Sequence, residues 1–454
     1  MRNKAAVCIA FVLILTVPAV FAQETLSLQR ARELALQNSR SLARTSLAVQ
    51  SSLLNEKTQR YSQWPSLSMS ASASVNLWTK EGFPQNMLRD SFNASISIGS
   101  LSVKIWDGGK YSINKTINSI ATEMSRQDAL AEYYSVLSSA DSAYYTVLEA
   151  AASLEAAESS LATAELSLSM AEIRHANGMI NDASYLQVLS EKASRETSRN
   201  QSRRDLALAQ LRFRELLGIN YTPVLQPVEL DSLEELINVL ANVNDNDFEN
   251  LFTVFRREIQ ARNPSYIKAA LSSERTYRNL NLAERDYSPT FGASLSMPGL
   301  SYTVNKGFEF SSGGRFSLSA SIPLDFWVIA ANVQKQKISQ QQAALDFRSA
   351  TSSLDIEIST LILDLVSQAG QIVSSRRALD YAQKHFDQVF ELYRLSRYSP
   401  SELSDAETMV RNNRNSFNRA RYSFLSGMSK IRSAGVFDTE EQVVELIYSV
   451  IFGR

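Results

Sequence analysis

Between Gly108-Gly109 and Gly178 the chain runs through residues 110–177 without a glycine or proline, and its apolar residues recur at every seventh position. One series reads Tyr133, Ala140, Val147, Leu154, Leu161, Leu168, and a second, three residues on, reads Val136, Ala143, Ala150, Ala157, Ala164, Ala171. A 3.5-residue repeat held this long imposes a left-handed supercoil, because a straight helix would carry the stripe away from its partner. Alanine throughout the second series lets neighbouring backbones come close. At 1.5 Å per residue the rod is on the order of 100 Å long. By length alone, 454 residues suggest two or three compact domains. A rod buries no central core, so that expectation lapses here.

Residues 1–22 read as a secretory signal: Arg2 and Lys4, an apolar run from Ala5 to Val17, and a cleavage site at Val20-Phe21-Ala22. The only cysteine, Cys8, lies inside this segment, so the mature chain is expected to carry no disulfide and no thiol chemistry. The formal net charge is −1 for the whole chain, which gives no footing for an electrostatic nucleic-acid binder.

The spacing predicts a helix over 27–64, closed by Pro65. The period then changes from helical to two. Leu67, Met69, Ala71, Ala73 and Val75 alternate with serines, as do Phe92, Ala94, Ile96 and Ile98, predicting a strand pair at 66–78 and 91–106. Each is long enough to cross a bilayer at a tilt. Trp78 and Trp106 at the strand ends point to a membrane interface, where aromatic rings collect. The long helix 110–177 follows, then a tip turn at Gly178 and a helix over 182–217. Residues 219–250 break the rhythm as a linker.

The chain then starts again. A helix over 251–287 ends before Pro289, as the first ended before Pro65. A second strand pair spans 290–304 and 314–326, joined through Gly313-Gly314. A second long helix over 327–397 begins at Trp327, a third interface aromatic. A tip at Ser399-Pro400 leads into a helix over 401–433. The interval of about 220 residues implies a duplicated helix–hairpin–helix–helix unit, 23–218 and 251–435. The tail 436–454 reads equally as a packed helix or an extension.

The fold class is therefore mainly α, a long coiled coil with a small β part of four strands. Four strands cannot close a transmembrane barrel, since about eight is the minimum, and an open edge is not tolerated in lipid. If the strands span a membrane, several copies must share one barrel.

The ordered set of Gln63-Trp-Pro-Ser-Leu, Trp106-Asp-Gly-Gly109, His175-Ala-Asn-Gly178, Leu216-Leu-Gly218, Tyr287-Ser-Pro-Thr-Phe, Ser399-Pro-Ser-Glu-Leu-Ser-Asp-Ala-Glu407 and Phe424-Leu-Ser-Gly427 resembles the TolC-like outer membrane efflux proteins over the whole mature chain. The resemblance implies a homotrimer with a shared twelve-stranded β-barrel in outer-membrane lipid and an α-helical tunnel through the periplasm. It also implies a periplasmic adaptor and an inner-membrane pump of the RND, ABC or MFS type as partners, with no cofactor. At the periplasmic tip it assigns an entrance gate to Tyr393, Glu402 and Asp405. Ser396 stands where the family has glycine, and Glu402 where it has aspartate.

No catalytic constellation competes. His175 and His385 are the only histidines and do not occupy matching places in the two halves. No zinc-type cluster or phosphate-binding glycine loop is present in the sequence. An export duct is the first reading. A periplasmic coiled-coil scaffold is the alternative, and it leaves the serine-alternating strands without a purpose.

Overall fold

The computed structural model describes residues 25–75, 92–228, 230–303, 307–310, 313–395 and 397–452. The expected signal segment, Trp78 and Ser396 lie outside the described residues. The first repeat comprises β1 (Thr25–Leu26), α1 (Leu28–Asn38), α2 (Arg40–Tyr61), β2 (Ser66–Val75), β3 (Phe92–Trp106), α3 (Lys110–Ala176) and α4 (Asp182–Leu217). After β4 (Val224–Leu225) and α5 (Glu234–Ala241) come α6 (Asp245–Arg262), α7 (Pro264–Glu284), β5 (Thr290–Ser296), β6 (Gly299–Thr303), β7 (Gly307–Phe310) and β8 (Arg315–Ser321). The chain closes with α8 (Phe326–Arg394), α9 (Pro400–Gly435) and α10 (Glu440–Phe452).

Each expected first helix is broken once. Ser39 interrupts the first in extended conformation and caps α2 by accepting the Leu42 N–H at 3.2 Å. Asn263 does the same before Pro264, where the fixed φ of proline suits the first helical turn. The polar run Asn244–Asp247, inside the expected linker 219–250, opens α6, with the Asn244 side chain accepting the Asp247 N–H. Side-chain capping is the local preference that periodicity does not report.

The long rods are paired along their whole length by two shorter helices each. In the first repeat α2 covers the upper part of α3 and α4 the lower part, and in the second α7 and α9 flank α8 likewise. The short helices meet at the middle. Asn38 donates to the Leu217 carbonyl at 2.6 Å, and Asn263 donates to the Ala434 carbonyl at 3.0 Å. Asn38 is the last residue of α1 and Asn263 the residue before α7, and each satisfies an orphan carbonyl at the end of α4 or α9, so the duplication extends to the joints. Past those carbonyls the chain turns left-handed, at Gly218 (φ 66°) and at Val436 (φ 53°).

On α3 the heptad positions Val136, Ala140, Val147, Ala157, Leu161, Ala164 and Ala171 are buried, but Tyr133 is exposed. Tyr134, Tyr144 and Tyr145, off the heptad, are buried instead. The reason is a third layer at mid-height. There α1 packs on α3, while α5, α6 and α10 pack on α8 and α9, burying faces that a two-helix coil would leave wet. The 436–454 tail is thus settled over its described part as a packed helix, with Val443 and Ile447 fully buried. Each such side chain contributes about 1.5–3 kcal/mol.

The sheet has six segments but four continuous strands. β5 and β6 pair with β3 in one register from Lys104 to Asn93 (Ser100–Ser296, Ser97–Gly299), with a break at Met297-Pro298 and a one-residue shift next to Trp106. β8 and β7 likewise follow β5 and β6, with a one-residue slip between them. The second hairpin reverses between Thr303 and Gly307, which pair, and not at Gly313-Gly314 as the glycines suggest; those two lie in the break between β7 and β8. β2 flanks β3 on its other side, so β2 and the β7–β8 strand are the open edges.

The candidate entrance gate and membrane belt

Across all four strands, apolar residues oppose apolar residues, and polar residues or glycine oppose one another. Ser66 meets Ser102 at 2.7 Å, Ser68 meets Ser100 at 2.9 Å and Ser72 meets Ser95 at 2.8 Å through their side chains. Leu67 faces Leu101, Leu295 faces Phe316, and Ala94 faces Tyr302. Leu67, Met69, Phe316 and Leu318 are exposed. One face is thus fit for lipid and the other for water.

Aromatic rings gather at both ends of that sheet. At the helical end Trp106 lies 5.7 Å from Phe291, Tyr61 packs edge-on to Trp64 at 5.1 Å, and Tyr287 stacks on Phe326 beside the exposed Trp327. At the hairpin end Phe92, Tyr302 and Phe308 form a chain of contacts. Trp106 and Trp327 are legible in the sequence and their neighbours are not, because only the pairing brings distant aromatics to one level.

The opposite pole of the rods is a tight structure. α3 ends in a left-handed Gly178 (φ 68°), with the Met179 N–H returning to the Arg174 carbonyl at 2.8 Å. Asn181 caps α4, and His175 meets Asp182 at 2.7 Å across the turn while stacking on Tyr185. On the second repeat, Ser399 and Glu402 form a capping box at the start of α9, with Pro400 at the first helical position. The Ser399 N–H and hydroxyl donate to the Glu402 carboxylate at 2.7 and 2.8 Å, holding its pKa below the usual 4.5. Glu402 and Asp405 are both exposed, on successive turns of one helix.

Tyr393 stands behind them. It is fully buried among Met170, Phe386, Val389, Leu403 and Ala406, and its hydroxyl accepts from Ser167 at 3.3 Å. Above it a cluster absent from the sequence reading joins the repeats. Arg195 of α4, almost fully buried, pairs with Glu191 and, at 2.9 Å, with Glu407 of α9, and donates to Thr408 at 2.8 Å. Arg195 sits in a polar stretch that reads as solvated face. Only the approach of α9 buries it.

A third polar cluster lies at mid-height. Asp141 of α3 is wholly buried and receives Arg32 of α1 at 2.5 and 2.9 Å, Arg432 of α9 at 2.8 Å and the Ser429 hydroxyl at 2.5 Å. Glu440 of α10 bonds to both arginines. Burial opposes the charge on Arg32, but the bond and field of Asp141, with Glu440 behind, outweigh it and raise its pKa. Burial pushes the Tyr144 hydroxyl up to about 12; that group bonds the carbonyls of Leu26 and Gln226.

The profile of outer membrane efflux proteins matches residues 31–219 and 256–434, one stretch in each repeat. The chain belongs to the outer membrane efflux protein family. Its fold is that of solved channels at low identity. The OprN outer-membrane channel is 16% identical with a TM-score of 0.73, over 90% of this chain and 89% of that one. The CmeC outer membrane channel of Campylobacter jejuni is 15% identical with a TM-score of 0.71, over 94% and 90%. VceC, an outer membrane protein of Vibrio cholerae, is 14% identical with a TM-score of 0.70, over 90% and 95%. A search of curated proteins returns no match. As an outer membrane efflux protein the chain is a TolC-like channel, with the sheet in the outer membrane and the rods in the periplasm.

Proposed function

We propose that three copies of this efflux protein form the outer-membrane duct of a tripartite efflux or type I secretion system. Solutes handed over by a periplasmic adaptor and an inner-membrane pump pass through it without further energy input. One observation carries the reading: the sheet is two-faced, has an aromatic belt at each end, and is open at both edges. An open edge leaves backbone donors and acceptors unpaired, at several kcal/mol each in hydrocarbon. Joining β2 of one copy to the β7–β8 strand of the next removes every edge. Exposed leucines at seven-residue spacing on α2 (Leu47, Leu54) and apolar residues on α8 (Ile338, Leu345) supply a seam for the same neighbour.

At the tip, Glu402 and Asp405 of three copies form carboxylate rings that favour cations. Planar-bilayer recording of the purified protein tests both parts. Steady conductance with cation preference is expected, and Glu402→Ala with Asp405→Ala should reduce that preference. A protein that never inserts defeats the duct. Unchanged ion selectivity in the double variant removes the gate alone.

A further inference from the structure

Ser160 of α3 is only 3% exposed, and its hydroxyl has no hydrogen-bond partner. A buried hydroxyl without a partner costs about 1–3 kcal/mol, so something must satisfy it. It borders a hollow of about 80 Å³ between α3, α8 and α9, shared with Ser159, Thr163, Gln383, Arg411 and Arg414. A water needs roughly 10–15 Å³ by this measure, so there is room for a group larger than one water. Among the described residues neither Arg411 nor Arg414 makes a hydrogen bond or an ion pair. Glu407 also reaches the hollow; its Oε2 is ion-paired with Arg195 at 2.9 Å but accepts no hydrogen bond. The surplus charge is therefore positive. Burial, and then the nearby Arg195, hold Arg411 below the usual guanidinium range against the opposing fields of Glu407 and Glu191.

The geometry points to a small-monoanion site, for chloride or a compact carboxylate, held by the Ser160 hydroxyl and the Arg411 and Arg414 guanidiniums. Guanidinium forks and a hydroxyl are the donors such anions take. The site straddles the repeats, with Ser160 on the first and both arginines on the second. It lies two helical turns from the Tyr393 seat, counting from Phe386, which lines the hollow and packs beside Tyr393. An anion bound there fastens α3 to α9 next to the entrance.

The test is the thermal unfolding midpoint of the detergent-solubilised full chain as sodium gluconate is exchanged for chloride or acetate at fixed ionic strength. A saturable rise on the order of 2 °C is expected. It should be weakened in Ser160→Ala and absent in Arg411→Gln, with both variants folded by circular dichroism. Bromide soaked into crystals should give an anomalous peak between the two arginines. A response to chloride alone assigns a halide, and one to both assigns a site that also takes carboxylates. No response in the wild-type protein, or an equal response in Arg411→Gln, overturns the site and leaves water as the occupant.

Discussion

The guanidinium of Arg174 lies 4.5 Å from the centre of the Tyr393 ring and donates to the carbonyl of the same residue at 2.6 Å. One side chain at the end of α3 thus holds the end of α8 by its ring and its backbone. The two long rods of the protomer are tied at the tip by this contact. A cation–π contact and a charged hydrogen bond together contribute on the order of 2 kcal/mol when partly buried. Arg174→Ala should shift the tip roughly thirtyfold towards open forms. Single-channel recordings should show larger and noisier currents, and cells should become sensitive to large antibiotics. Wild-type currents in the variant would show that the tip is held elsewhere.

The Asp141 cluster makes a different prediction. Arg32 and Arg432 are balanced by Asp141 and Glu440, which come from α3 and α10. Removing one member of a buried ion cluster costs about 3–5 kcal/mol, because the opposite charge stays behind unpaired. Asp141→Ala should lower the yield of folded protein sharply in outer-membrane fractions. Deletion from residue 440 onward should do the same, since it removes Glu440 together with the buried Val443 and Ile447. Normal amounts of the truncated protein would show that α10 is dispensable.

Val436 is the one residue other than glycine with positive φ among the described residues, at the position where the first repeat has Gly218. A left-handed conformation costs about 1–2 kcal/mol for a residue with a Cβ, more for a β-branched one. Val436→Gly should raise the unfolding midpoint, partly offset by the looser unfolded chain. A lowered midpoint would mean that the valine side chain packs better than its conformation suggests.

The Ser399–Glu402 capping box should fail in acid. Its carboxylate titrates below 4.5 in the folded state, because the charged form is the one Ser399 binds. Its contribution is complete above the unfolded-state value and is lost as pH falls through the lowered one. Glu402→Gln, which still caps but does not titrate there, should flatten this part of the stability–pH curve. Comparing unfolding midpoints of the two proteins from neutral to acid pH checks it. Parallel curves would assign the acid loss to other carboxylates.

The sequence by itself determined the rods, the strands and the duplication. All three are periodicities, and a period of 3.5 or of two is dictated by backbone geometry before any tertiary contact exists. It also marked both tips, because Gly178 and Ser399-Pro400 satisfy local helix-end chemistry. What only the tertiary structure decided is where polar groups are buried. Asp141, Arg195 and Ser160 look like solvated helix positions, and each becomes interior when a helix from a distant part of the chain covers it. The same holds for Tyr393, a gate residue by resemblance that the fold seats behind the acids of α9. The strand breaks near Met297 and Gly313 and the reversal before Gly307 also escaped the sequence, since register is fixed by the neighbouring strand and not by the glycines. Local period is written along the chain, whereas burial depends on which segments meet.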